Sequence, residues 1–161
     1  MRTATQRLRP ALSRVSKRAA LMLAAVAIAV FALPSTAMAD DYFAWCPEAE
    51  TTCQTGVSVS APQGACETAP AAYHKTRVCV VYDGDYVYVY DGQADGYSGM
   101  AEIGTDNGSV HKRFCRNTTG FGTWVRCNFD WAESGEHRMW AGYLISYKEM
   151  PTEFLWAWDD K

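Results

Sequence analysis

Two sets of residues carry chemistry by type and spacing. The first is the segment from Asp91 to Glu102, DGQADGYSGMAE. It places Asp91, Gln93, Asp95, Gly96 and Glu102 at positions 1, 3, 5, 6 and 12 of a calcium-loop pattern. A hard cation takes several oxygen ligands, and glycine at the sixth place permits the sharp turn. Gln93 stands where an acid or asparagine is usual, and Ser98 where an aliphatic residue is usual. The residues before the segment read as a strand, and Gly104 with Asn107-Gly108 forbids an exit helix, so the pattern is not an EF-hand. Two readings remain: a calcium loop between strands, with Asp91, Gln93, Asp95 and Glu102 as ligands, or ordinary Asp-Gly turns. Under the second, a hairpin about Asn107-Gly108 sets Glu102 opposite Arg113 as a cross-strand ion pair.

The second set is an aromatic stripe. Arg77 to Tyr90, RVCVVYDGDYVYVY, reads as a β-hairpin about Asp83-Gly84, a dipeptide suited to a two-residue type I′ turn. This register pairs Val80 with Val87 and Val78 with Val89, a core-facing ladder. The other face pairs Val81 with Tyr86, Cys79 with Tyr88 and Arg77 with Tyr90. Arg77, Tyr86, Tyr88 and Tyr90 are therefore a candidate binding face. A bridged Cys79 also brings a second cysteine segment to that side, which would make part of the stripe packing surface.

Conventional catalytic constellations are missing from the sequence. It holds no G-x-S-x-G, H-E-x-x-H, P-loop or dinucleotide fingerprint. His74, His111 and His137 have no evident common nucleophile or orienting acid. Asp83, Asp85, Asp91 and Asp95 are expected near one hairpin end, which leaves a carboxylate hydrolase as the alternative to a binding protein.

Residues 1–39 read as a delivery segment. Arg2, Arg7, Arg9, Arg14, Lys17 and Arg18 precede an apolar run from Ala19 to Leu33, and Ala37-Met38-Ala39 forms a small-x-small site. This is the order of a secretory signal peptide cleaved after Ala39. The run is shorter than the roughly 20 residues that span a bilayer. All eighteen acidic residues and nine of the fifteen basic ones follow it, so residues 40–161 carry a formal charge of −9 against −3 for the whole chain. That balance excludes nucleic acid and anionic membrane as partners that depend on a broad basic footprint.

The six cysteines, Cys46, Cys53, Cys66, Cys79, Cys115 and Cys127, all lie in this acidic part. In an exported domain they imply three disulfides, among fifteen connectivities, with Cys46–Cys53 the local closure we expect. None has the C-x-x-C spacing of a zinc knuckle or redox site.

These residues need strands to position them. Residues 40–76 read as loop-rich, with one short strand at Val57-Ser58-Val59. Thr123 to Trp131 alternates as a half-buried strand with its odd positions inward. Arg138 to Tyr147 reads as a strand or a short helix, with its Trp, Tyr and Ile content favouring the strand, and Phe154, Trp156 and Trp158 alternate in a last strand. Asn117-Thr118-Thr119 has the form of a glycosylation sequon. The expectation is a single β-rich domain over 40–161, a small antiparallel sandwich or open barrel of five to eight strands, built from hairpins and stapled by disulfides. The expected function is a secreted, non-enzymatic binding protein, in one form an inhibitor of an extracellular enzyme. Its partner is an extracellular protein or a surface polymer, and it needs no cofactor unless the 91–102 loop takes calcium.

Overall fold

Valine-rich and aromatic alternation dominates the chain beyond Arg77, and such segments bury one face of a pleated strand while presenting the other. The computed structural model describes residues 40–160, and the expected signal segment lies outside them. Among the described residues ten strands, more than the five to eight expected, form two five-stranded sheets. They are β1 (Thr51–Thr55), β2 (Val57–Val59), β3 (Ala65–Thr68), β4 (Arg77–Val81), β5 (Tyr86–Tyr90), β6 (Ser98–Thr105), β7 (Lys112–Arg116), β8 (Trp124–Asn128), β9 (Gly135–Leu144) and β10 (Thr152–Asp160). Sheet A has the order β1-β7-β6-β9-β10, and sheet B the order β2-β8-β5-β4-β3. All pairings are antiparallel except β1 with β7. The architecture is a sandwich, not a barrel.

The core lies between the sheets. Val78, Val80, Val87, Val89 and Val125 from sheet B meet Ala101, Ile103, Cys115, Met139 and Ala141 from sheet A, all fully buried. Cys115–Cys127 crosses this core and links the two sheets. Cys46–Cys53 closes the N-terminal loop as expected, and Cys66–Cys79 joins directly opposed residues of β3 and β4.

The β4–β5 register is the expected one, with Val80 opposite Val87 and Arg77 opposite Tyr90. The turn differs. Tyr82–Gly84 forms one 3-10 turn, and the left-handed residue is Asp85, at φ 54°. Its buried carboxylate accepts the Trp131 N–H at 3.1 Å, and its carbonyl accepts the Phe129 N–H at 3.0 Å. Tertiary hydrogen bonds thus override the local preference for a two-residue turn.

Three further expectations are corrected. Residues 40–76 contain three strands, not one. β1, TTCQT, has almost no apolar signal, but it pairs with β7 and buries Cys53. The β6–β7 hairpin is shifted by one residue, so Glu102 faces Phe114 and Arg113 faces Ile103. The connection is a longer loop closed by Thr105 N–H to His111 carbonyl at 3.0 Å. A one-residue shift exchanges faces, so Glu102 points away from the core and no Glu102–Arg113 pair forms. Finally, β10 carries a bulge at Leu155: Phe154 opposes Trp140 while Trp156 opposes Met139. Phe154 is consequently exposed, whereas Trp156 and Trp158 pack on the core.

Candidate functional site

The outer face of sheet B brings together more than the hairpin alone predicts. Sheet order places β8 beside β5, so the even residues of β8 join the tyrosine stripe. One row across the sheet runs Thr68, Arg77, Tyr90, Trp124 and Val59. The next runs Cys66, Cys79, Tyr88, Arg126 and Val57, and a third holds Val81, Tyr86 and Asn128. Rows lie roughly 6.8 Å apart along the strands, and neighbours across the sheet roughly 4.8 Å apart.

These rows hold two arginines, four aromatic rings and no carboxylate. The Arg126 guanidinium lies 4.6 Å from the Tyr86 ring centroid, and that of Arg77 lies 5.9 Å from Trp124. The Tyr90 and Trp124 rings are 5.1 Å apart. Neither arginine forms an ion pair among the described residues, and Arg126 Nε is buried without a hydrogen-bond partner. Tyr88 is buried beneath this surface, Tyr86, Tyr90, Trp124 and Arg126 are half-buried, and Arg77 and Val57 are exposed. The Cys66–Cys79 bridge does occupy the same side, at the β3 edge. Trp124 and Arg126 belong to the site although the hairpin says nothing of them. Their outward orientation follows from the alternation of residues 123–131, but their neighbours follow only from strand order.

The calcium pattern is distributed differently. Asp91 is buried, and its Oδ1 accepts the Gln93 N–H at 3.1 Å; burial raises its pKa from the ordinary value. Asp95 Oδ1 accepts the Tyr97 N–H at 2.8 Å, and its Oδ2 lies 2.6 Å from His74 Nδ1. The His74 ring stacks on Tyr143, centroids 3.3 Å apart. Both carboxylates thus stabilise the loop itself. Glu102 does not join them: it sits in β6 between Phe114 and Trp140. Among the described residues, no three His, Cys, Asp or Glu side chains stand close enough to hold a metal ion.

The four hairpin acids do not cluster. Asp83 and Asp85 lie at the turn, and Asp91 and Asp95 follow the far end of β5, roughly 17 Å away by strand rise. The histidines are dispersed as well. His111 lies 3.1 Å from Glu50, and His137 is buried against Trp158 and Trp131.

A groove of about 610 Å³ is lined by Gln54, Arg113, Asn128 and Asp130 among others. Its polar groups hold the sandwich together. Arg113 Nε and Nη2 donate to the Asp130 carbonyl at 3.2 and 2.7 Å, and Nη1 donates to Thr105 Oγ1 and the Val110 carbonyl. Gln54 Nε2 donates to the Asn128 carbonyl and its Oε1 accepts the Asn128 N–H, which ties the edge strand of sheet A to sheet B. Asn117, the sequon asparagine, is fully buried; its amide donates to Val89 and Thr123 and its Oδ1 accepts from Thr119. In the folded chain it is closed to a glycan-transferring enzyme.

In comparisons with protein-family models, curated proteins and solved structures, nothing matches this chain.

Proposed function

We propose that this chain is an exported, non-enzymatic binding protein that engages a carboxylated extracellular polymer through the outer face of sheet B. The observation that carries this reading is the pair of arginines that have no acidic partner among the described residues, in a region of formal charge −9. Eighteen acids are available, and none lies in the rows around Arg77 and Arg126. A guanidinium seated on an aromatic ring keeps its N–H edge for a planar anion such as a carboxylate. The aromatic neighbours add flat apolar area at low entropic cost, the composition that dominates binding hot spots. The net negative charge opposes a polyanion at long range. At physiological salt that repulsion is screened beyond about 8 Å, so the groups directly facing the polymer decide.

Export is supported by the signal-like order of residues 1–39 and by three disulfides, which persist in oxidising compartments. Among the described residues no helix is long and apolar enough to cross a membrane. The hydrolase alternative loses its motivating feature with the separation of Asp83 and Asp85 from Asp91 and Asp95.

Affinity electrophoresis of the oxidised protein through gels containing polygalacturonate, alginate or a neutral glucan tests this reading. Retardation by a polyuronate and not by the glucan is the expected result. Equal migration in every gel would remove the proposal.

A further inference from the structure

A groove of about 410 Å³ on the outer face of sheet A is lined by Glu102, Gly104, Lys112, Arg138 and Trp140 among others. Among the described residues, the basic side chains there already have partners. The Lys112 ammonium lies 3.1 Å from the Trp45 ring centroid, and Arg138 is held by Asp106 and Glu136. His111 Nδ1 lies 3.1 Å from Glu50 Oε2. Glu102 lies within the field of Lys112, but its carboxylate makes no hydrogen bond or ion pair among the described residues.

Partial burial of that carboxylate raises its pKa, and the Lys112 charge offsets this only in part. A carboxylate partly withdrawn from water gains from donors that replace the hydration it has lost. Beside it stands Trp140. A Cβ at position 104 would come within 3.0 Å of this ring, so the indole is seated on Gly104, with Phe154 edge-on at 5.7 Å. The result is a fixed aromatic wall next to a half-buried carboxylate.

We infer that this groove takes an arginine side chain of a basic partner protein, its guanidinium paired with Glu102 and stacked on Trp140. The planar guanidinium matches both surfaces at once: two parallel N–H donors for the carboxylate and a flat cation for the indole. Charge complementarity favours a cationic partner, because the field of the −9 region attracts one from a distance. This site is separate from the sheet B face and stands or falls without it.

Titration of the oxidised protein with an amidated tri-arginine peptide tests the inference, with the neutral tri-citrulline isostere as control. Binding is followed by the indole N–H resonances in a proton–nitrogen spectrum. Saturable binding that shifts the Trp140 resonance is expected for arginine and not for citrulline. Glu102→Gln should weaken it about tenfold or more, equivalent to about 1.4 kcal/mol. Glu133→Gln removes the same charge from an exposed site and should leave the affinity within about twofold. If Glu102 is structural only, Glu102→Gln will leave the affinity unchanged. That outcome, equal loss in both variants, or equal binding of citrulline overturns the inference.

Discussion

The two outer faces of the sandwich are built from similar residues and have opposite fates. On sheet A, Phe114, Met100 and Leu144 are covered by the segment after Asp40. Phe43 packs edge-on against Phe114 at 5.3 Å, Tyr42 Oη donates to the Phe114 carbonyl at 2.9 Å, and Cys46–Cys53 closes the loop that carries these rings. The covered part of that face is a second small core, and the uncovered part is the groove at Glu102. On sheet B, comparably large rings share their surface with arginines instead of a covering segment. Aromatic residues alone therefore do not mark a binding face. The useful distinction is whether the charges among them are already paired.

Breaking the covered face should cost most. Phe114→Ala removes a fully buried ring, so a loss of about 3–5 kcal/mol is expected in denaturant unfolding. A loss below about 1 kcal/mol would mean that the N-terminal segment packs loosely. Replacing Cys46 and Cys53 with serine opens a short loop and should cost about 2.5 kcal/mol by chain entropy. Amide exchange should then quicken around Phe43 and Phe114 and stay unchanged on sheet B.

Trp124→Ala sharpens the contrast from the other side. It should cost about 1 kcal/mol or less, from its contacts with Tyr90 and Arg77, while abolishing polyuronate retardation. A large stability loss with retained binding would make this face structural.

Glu102→Gln should raise the melting temperature at pH 7, because the raised pKa means that the folded state prefers the neutral form. The stabilising contribution of protonation is complete below the unfolded value of about 4.3 and is lost as pH rises through the folded value. The gain should therefore vanish near pH 4. A variant less stable at pH 7 would show that the carboxylate has a partner in the fold. The smallest effect is expected from calcium: Asp91 and Asp95 are engaged within their loop and Glu102 lies elsewhere, so millimolar calcium should leave the melting temperature unchanged. An upward shift lost in Asp95→Ala would instead show a calcium site in that loop.

Much of sheet B was legible in the sequence. Alternating valines and tyrosines around Asp83-Gly84 define both faces and the register, and residues 123–131 declare their inward side. The turn was less legible because Asp85 takes its conformation from hydrogen bonds to residues more than forty positions away. β1 was invisible because TTCQT owes its place to main-chain pairing and Cys53. The Glu102 groove was hidden by a single-residue error in loop length, which moved a carboxylate from a supposed ion pair to an unpaired position. The Arg126 contribution needed strand order, which no local pattern encodes.

The most direct measurement is the affinity of the oxidised protein for polygalacturonate at 0.15 M salt, beside the double variant Arg77→Gln/Arg126→Gln. The account predicts that wild type binds, that the variant loses at least about tenfold, and that the variant still folds, with a stability loss of about 1 kcal/mol or less. Equal affinity of the two proteins would contradict it, because the unpaired arginines would then have no part in binding.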